Sequence, residues 1–148
     1  MHVIDALRPQ VDALVVVGRD FPGYDTVADR VAGEGPLSGL CSALCAARAR
    51  GFDAVLTSGC DLLDLPADLA ERLAPGPAVA AGQPLLGLWP VALTDQLETH
   101  FAAGNRSLYG WVAASRAVEV DFGPIANINT LHDLPAKQGV ACREPPSR

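Results

Sequence analysis

Three short stretches of the 148-residue chain hold the side chains best placed for chemistry. Asp61 follows the run Asp53-Ala54-Val55-Leu56-Thr57-Ser58, which is apolar at its start and polar at its end. The carboxylate would therefore emerge where a buried strand leaves a sheet. Mg²⁺ takes oxygen donors, keeps several waters and is commonly held by one or two carboxylates together with substrate phosphates. Asp61 suits that task, and it equally suits capping a helix that starts near Leu62 or Pro66. The second stretch, Gly33-Glu34-Gly35-Pro36-Leu37-Ser38-Gly39, lets a backbone approach a nucleotide closely and ends in a helix start with free N–H donors. It also reads as an ordinary loop-to-helix transition, and it is not a Walker loop, since no Gly-Lys-Ser/Thr follows. In the third, Asn127 and Asn129 lie two apart, so an extended backbone would point both amides to one side. Such a pair could bind a polar ligand or fasten a loop.

Other candidates are weaker. His2, His100 and His132 are scattered, with no Ser or Cys placed to complete a triad, and Arg106-Ser107 after Gly104 could meet an anion. Cys41, Cys45, Cys60 and Cys142 match no zinc spacing; Cys41 and Cys45 would share a helical face as small, packed residues.

The elements that must position these residues alternate. Val3, Ile4, Leu7 and Val11 fall near a helical period, and Leu14-Val15-Val16-Val17 reads as a buried strand ending at Gly18. Leu37, Leu40, Leu44 and Ala47 predict a helix ending near Gly51, followed by the strand before Asp61. Pro66 opens a predicted helix to about Leu73, and Val79 to Ala81 and Leu85 to Trp89 read as short strands. Pro90 could start a helix carrying Leu93, Leu97 and Phe101, and a short helix with Leu108, Trp111 and Val112 precedes the strand Ala117 to Phe122. Strands alternating with helices predict an α/β fold: an open, doubly wound, mostly parallel sheet with helices on both faces and ligands at the carboxyl ends of its strands. Residues 1–142 read as one domain and 143–148 as a frayed tail.

Composition narrows the function. Apolar residues make up 49% of the chain and the formal net charge is −6 with no basic run, which disfavours binding nucleic acid through its phosphates. No window reaches the roughly 18 apolar residues of a membrane span, and the amino terminus resembles no signal peptide, so the expected location is the cytoplasm.

Taken in order, the motifs resemble the molybdenum cofactor guanylyltransferase family. Gly35-Pro36-Leu37-Ser38-Gly39 is similar to its Gly-Pro-Leu-Ala-Gly loop, Cys60-Asp61 to its Cys-Asp pair, and Asn127-Ile128-Asn129-Thr130 to its Asn-x-Asn-Thr motif, with Asp133-Leu134 following. Gln83-Pro84 stands where the family usually has His-Pro, and Gly104-Asn105-Arg106 resembles its Gly-x-Arg segment. The resemblance implies a Rossmann-like nucleotidyltransferase that moves GMP from GTP to molybdopterin and releases pyrophosphate. It implies Mg²⁺ on Asp61, guanosine contacts from Asp29 and from Gly35, Pro36, Leu37 and Gly39, and Asn127 and Asn129 near the pterin. No side chain is implied as a nucleophile.

One departure stands out. The family opens with a strand running into Leu-Ala-Gly-Gly-x-x-x-Arg-Met-Gly and then a Lys, and no such stretch lies ahead of His2. The expectation is therefore a domain without its first strand and phosphate loop, open to aggregation, to homodimerisation through the gap or to marginal stability. Two further readings stay open: a relative that binds molybdopterin or a molybdoenzyme-maturation partner without turnover, and another nucleotidyl- or glycosyltransferase of similar fold.

Overall fold

The computed structural model describes residues 2–18, 22–31, 33–59, 62 and 64–125. Helix α1 (His2–Leu7) runs through a 3₁₀ turn at Arg8–Gln10 towards β1 (Val15–Val17), three consecutive β-branched residues. β1 pairs in parallel with β2 (Asp25–Val27), Val17 opposite Val27. β2 carries no sequence signal of its own. Asp25-Thr26-Val27 is too short to show a period, and pairing with β1 is what makes it a strand. Helix α2 (Pro36–Ala49) starts at a Gly35 cap with φ +88° and Pro36 in the first turn. The positive φ suits glycine, and proline presets the helical φ without wasting a donor.

The larger sheet holds β3 (Ala54–Thr57), β5 (Gln83–Pro90), β4 (Ala78–Ala80) and β6 (Val118–Val120), in that spatial order. β4 and β6 are parallel, and β5 is antiparallel to both β3 and β4, so β3, β4 and β6 share one direction. The α/β class is as expected, and β5 is the one strand of this sheet, among the described residues, that runs against the others. Only Ala81 and Gly82, the latter at φ +80°, separate β4 from β5. Two residues allow a hairpin and nothing else, because a parallel crossover needs a dozen or more.

Helices cover both faces. On one, Leu37, Leu40 and Leu44 of α2 pack with Leu97 and Phe101 of α4 (Thr94–Ala102) and Trp111 and Val112 of α5 (Leu108–Ser115), against Val79 and Trp89. On the other, Val3 and Leu7 of α1 pack with Leu69 and Leu73 of α3 (Leu69–Leu73), against Ala78, Ala80 and Leu86. β4 is buried along its whole length and its residues alternate between the two cores, as the pleat requires. The Trp89 and Trp111 rings lie 6.2 Å apart at 36°. Such a tilted pair adds about 0.5–1.5 kcal/mol beyond the area it buries. Helix α3 is shorter than predicted, Pro66 lying in the turn that leads to its Asp68 cap.

The two sheets sit between shared helices. α2 contacts β1, β2 and β3, and on the opposite side Ile4 of α1 packs on Val16 while Val3 and Leu7 reach the larger sheet. Among the described residues no strand joins β1 to β3. A cavity of about 470 Å³ lies there, lined by residues of α1, β1, α2 and β3. The strand before Asp61, expected to be buried, is exposed at Ala54 and only half-buried at Val55, Leu56 and Thr57. Its sole described strand neighbour is β5.

Candidate nucleotide site

The carboxyl edge of the small sheet is built by backbone bonds. The Gly18 N–H, at the end of β1, donates to the Val27 carbonyl at 2.9 Å, so β1 and β2 finish together. The chain leaves β2 through Ala28 and the half-buried Asp29 into the loop that precedes α2.

That loop is fastened by one hydroxyl. Ser38, fully buried in the first turn of α2, accepts from the Val31 N–H at 2.6 Å and donates to the Val31 carbonyl at 3.0 Å. The Arg30 N–H donates to the Ser38 carbonyl at 3.4 Å and the Glu34 N–H to the Val31 carbonyl at 3.3 Å. Gly35 has no side chain to cover the start of this 14-residue helix, whose N–H groups and dipole favour an anion.

Two charged contacts hold the loop from outside. Arg106 Nε donates to Glu34 Oε1 at 2.7 Å, and the guanidinium lies 3.8 Å above the Phe101 ring and donates to the Phe101 carbonyl. This joins the Gly104-Asn105-Arg106 segment to the glycine loop. Arg30 pairs with Glu98 of α4 and donates to Cys45 Sγ at 3.0 Å, while the Cys45 thiol donates to Glu98 Oε2 at 2.8 Å. The thiol and Arg30 hold the Glu98 carboxyl below its ordinary range, and burial followed by the Glu98 charge pushes the Cys45 thiol up. Burial also raises Cys41, to about 11. Both cysteines are free, and neither is poised as a nucleophile, because the thiolate is disfavoured in each.

At the end of β3, Thr57 Oγ1 donates to the Leu85 carbonyl at 2.8 Å and accepts from Trp89 Nε1 at 3.2 Å, locking this edge to β5. Ser58 and Gly59 are buried, and the chain then runs into Cys60 and Asp61. Val17, Pro36, Gly39, Thr57 and Ser58 line the same cavity, so the end of β1, the start of α2 and the end of β3 border one space.

A family model described as MobA-like NTP transferase domain matches residues 1–119. The chain belongs to this family. A molybdenum cofactor guanylyltransferase of Cereibacter sphaeroides is 36% identical over a 149-residue alignment that covers 89% of this chain and 77% of the relative. One from Acidiphilium cryptum is 34% identical over 159 residues, covering 95% and 80%. Among solved structures, a protein from Aquifex aeolicus VF5 superposes with a TM-score of 0.73 at 17% identity, over 86% of this chain and 77% of that one. Molybdopterin-guanine dinucleotide biosynthesis protein A from Archaeoglobus fulgidus gives 0.62 at 20% identity, over 88% and 80%. At these identities the two structures speak for the fold. A MobA-like chain is a nucleotidyltransferase by family.

Of the residues singled out in the sequence, Asp29, Gly35, Pro36, Leu37 and Gly39 lie in one loop and helix start. Leu37 faces the core that α2 shares with α4 and α5. Asp61, Asn127 and Asn129 lie outside the described residues. Gln83 opens β5, opposite Ala80. Sequence reasoning missed the Ser38 staple and the Glu34–Arg106 link. The signal for the first was present: Ser stands where the MobA-like loop has Ala, and a buried hydroxyl needs a partner. The second joins residues 72 positions apart, beyond the reach of any local pattern. No helix among the described residues is long and apolar enough to cross a membrane.

Proposed function

We propose that this chain transfers GMP from GTP to molybdopterin, producing the guanine dinucleotide form of the molybdenum cofactor and releasing pyrophosphate. Family membership and the names of the relatives support this reading. The structural observation that carries it is the stapled loop between Asp29 and α2, which brings glycine backbone and the start of a 14-residue helix beside the end of β3. A terminal phosphate oxygen of molybdopterin forms a bond to the α-phosphorus of GTP. The bond to the bridging oxygen breaks, and pyrophosphate leaves with its electron pair. Positioning and charge neutralisation dominate such a transfer, so no side-chain nucleophile is required.

In this reading Asp29 and the loop residues Gly35, Pro36 and Gly39 contact the guanosine, Leu37, wholly buried, anchors the helix start in the core instead of touching the ligand, and Asn127 and Asn129 serve the pterin. Mg²⁺ supplies charge neutralisation across the phosphates when bound. Among the described residues no three His, Cys, Asp or Glu side chains converge into a cage. The donor set on offer is the Asp61 carboxylate plus waters and phosphate oxygens, a hard set of the kind Mg²⁺ takes. The test is incubation with labelled GTP, Mg²⁺ and molybdopterin. Stoichiometric pyrophosphate and guanine dinucleotide support the reading, and GTP left intact under conditions that sustain turnover by a molybdenum cofactor guanylyltransferase run alongside contradicts it.

A second reading is a relative that binds molybdopterin or a maturation partner without turnover. Calorimetry separates the two. Micromolar GTP affinity in the presence of Mg²⁺ contradicts the second reading, and pterin binding without GTP binding contradicts the first.

A further inference from the structure

We infer that Glu98 of α4 is a positioning residue for the nucleotide: through Arg30, with Cys45 of α2 closing the triangle, it sets where Asp29 stands beside the glycine loop. This role rests on the guanosine contact proposed for Asp29. Glu98 lies 68 positions from Arg30 and 53 from Cys45, so only the fold brings the three together.

The backbone just past Asp29 is tied to the first turn of α2, where Ser38 fastens the Val31 peptide and accepts from the Arg30 N–H. The Arg30 side chain supplies a second anchor, on another element. Its Nη1 donates to Glu98 Oε1 at 3.1 Å and its Nη2 to Glu98 Oε2, a two-pronged contact between a planar guanidinium and a planar carboxylate. Two parallel bonds fix orientation as well as distance, which a single ion contact does not. Nη2 also donates to Cys45 Sγ at 3.0 Å, and the Cys45 thiol donates to Glu98 Oε2 at 2.8 Å, so each of the three groups touches the other two. Because Arg30 follows Asp29 directly, anchoring its backbone and its side chain together restricts the directions open to the residue before it.

The helix that carries Glu98 is itself fixed. Leu97 and Phe101 of α4 are buried in the core shared with α2 and α5, and one turn nearer the start of α4 Arg48 Nη1 donates to Asp95 Oδ1 at 2.8 Å. The loop is therefore tied to a packed part of the fold. Its far end is held in the same way, by the pairing of Glu34 with Arg106. The Arg30 and Glu98 side chains are 40% and 31% exposed, so solvent screens the pair. Its effect on nucleotide affinity should be that of a solvent-facing contact, about two- to fivefold, with the fold retained.

Calorimetry with GTP and Mg²⁺, together with the rate of trypsin cleavage after Arg30, tests this on the intact chain. Glu98→Ala should weaken GTP binding by about two- to fivefold and speed cleavage by a similar factor. Arg30→Ala should weaken binding to the same extent, and the double variant should be no worse than either, since each change removes the whole contact. In turnover the loss should fall on KM for GTP, with kcat and KM for molybdopterin within about twofold of the parent, because Asp29 binds nucleotide and takes no part in the transfer. Asp95→Asn breaks the neighbouring link between the same two helices without touching the loop, and should bind GTP as the parent does. Parent-like affinity in Glu98→Ala beside a GTP-binding parent overturns the inference alone, whether or not cleavage is faster. Additive losses in the double variant also overturn it, and so does an equal loss in Asp95→Asn, which assigns the effect to helix packing. A parent that binds no GTP overturns the reading of the site, and the positioning role with it.

Discussion

Ser38→Ala tests the loop on which the nucleotide site depends. Ser38 is 0% exposed, and its hydroxyl makes two bonds to the Val31 backbone, at 2.6 and 3.0 Å. Each such bond is worth about 0.5–1.5 kcal/mol net, so both together contribute about 1–3 kcal/mol. Val31 is 43% exposed, which lets water rehydrate its peptide groups once the loop relaxes. The better helix propensity of Ala returns a few tenths of a kcal/mol. The expected loss is therefore about 1–2 kcal/mol, or a fall in melting temperature of about 3–6 °C for a domain of this length. The opening should be local, since Arg30 and Val31 are released while both cores stay packed. Trypsin cleavage after Arg30 then accelerates by about 5- to 30-fold, because cleavage of a transiently open segment follows its opening equilibrium. GTP affinity should fall in parallel. A melting temperature within about 1 °C of the parent, with unchanged cleavage after Arg30, would refute the staple.

Gly87→Ala should cost about 1–3 kcal/mol as an overpacked site, because the new Cβ would meet the Ala78 carbonyl oxygen at 2.9 Å and Trp89 Nε1 and Val79 Cγ1 at 3.0 Å; urea unfolding measures it, and a parent-like midpoint counts against the tight β4–β5 approach. Cys41 should resist alkylation at pH 8 and become reactive only as the pH nears 11, a profile read by peptide mass mapping and contradicted by rapid labelling at pH 8. Its folded pKa lies above the ordinary value of 9.0, so the associated stability is present below pH 9 and is lost as pH rises towards 11. Asp61→Asn should weaken Mg²⁺-dependent GTP binding by about tenfold or more while leaving the melting temperature close to the parent; unchanged calorimetric affinity would remove Asp61 from the metal site.

Much of this protein is legible in its sequence. The valine run of β1, the 3–4 spacing of Leu37, Leu40 and Leu44, and the Gly-Pro start of α2 are local signals, and local sterics and burial determine local structure. The ordered glycine loop, Cys-Asp pair and Asn pair likewise indicate the family without any fold, because a backbone that must approach a ligand, or a carboxylate at a strand end, restricts residue type at a given position.

Tertiary structure decided the rest. β2 exists because β1 offers it an edge, and β5 turns back because Ala81 and Gly82 leave no room for a crossover. The Ser38 and Glu34 contacts arise only once the loop has folded onto α2 and met the segment ahead of α5. A strand's hydrogen bonds are made to chain distant in sequence, so whether an edge is paired, and by what, cannot be read from the strand itself.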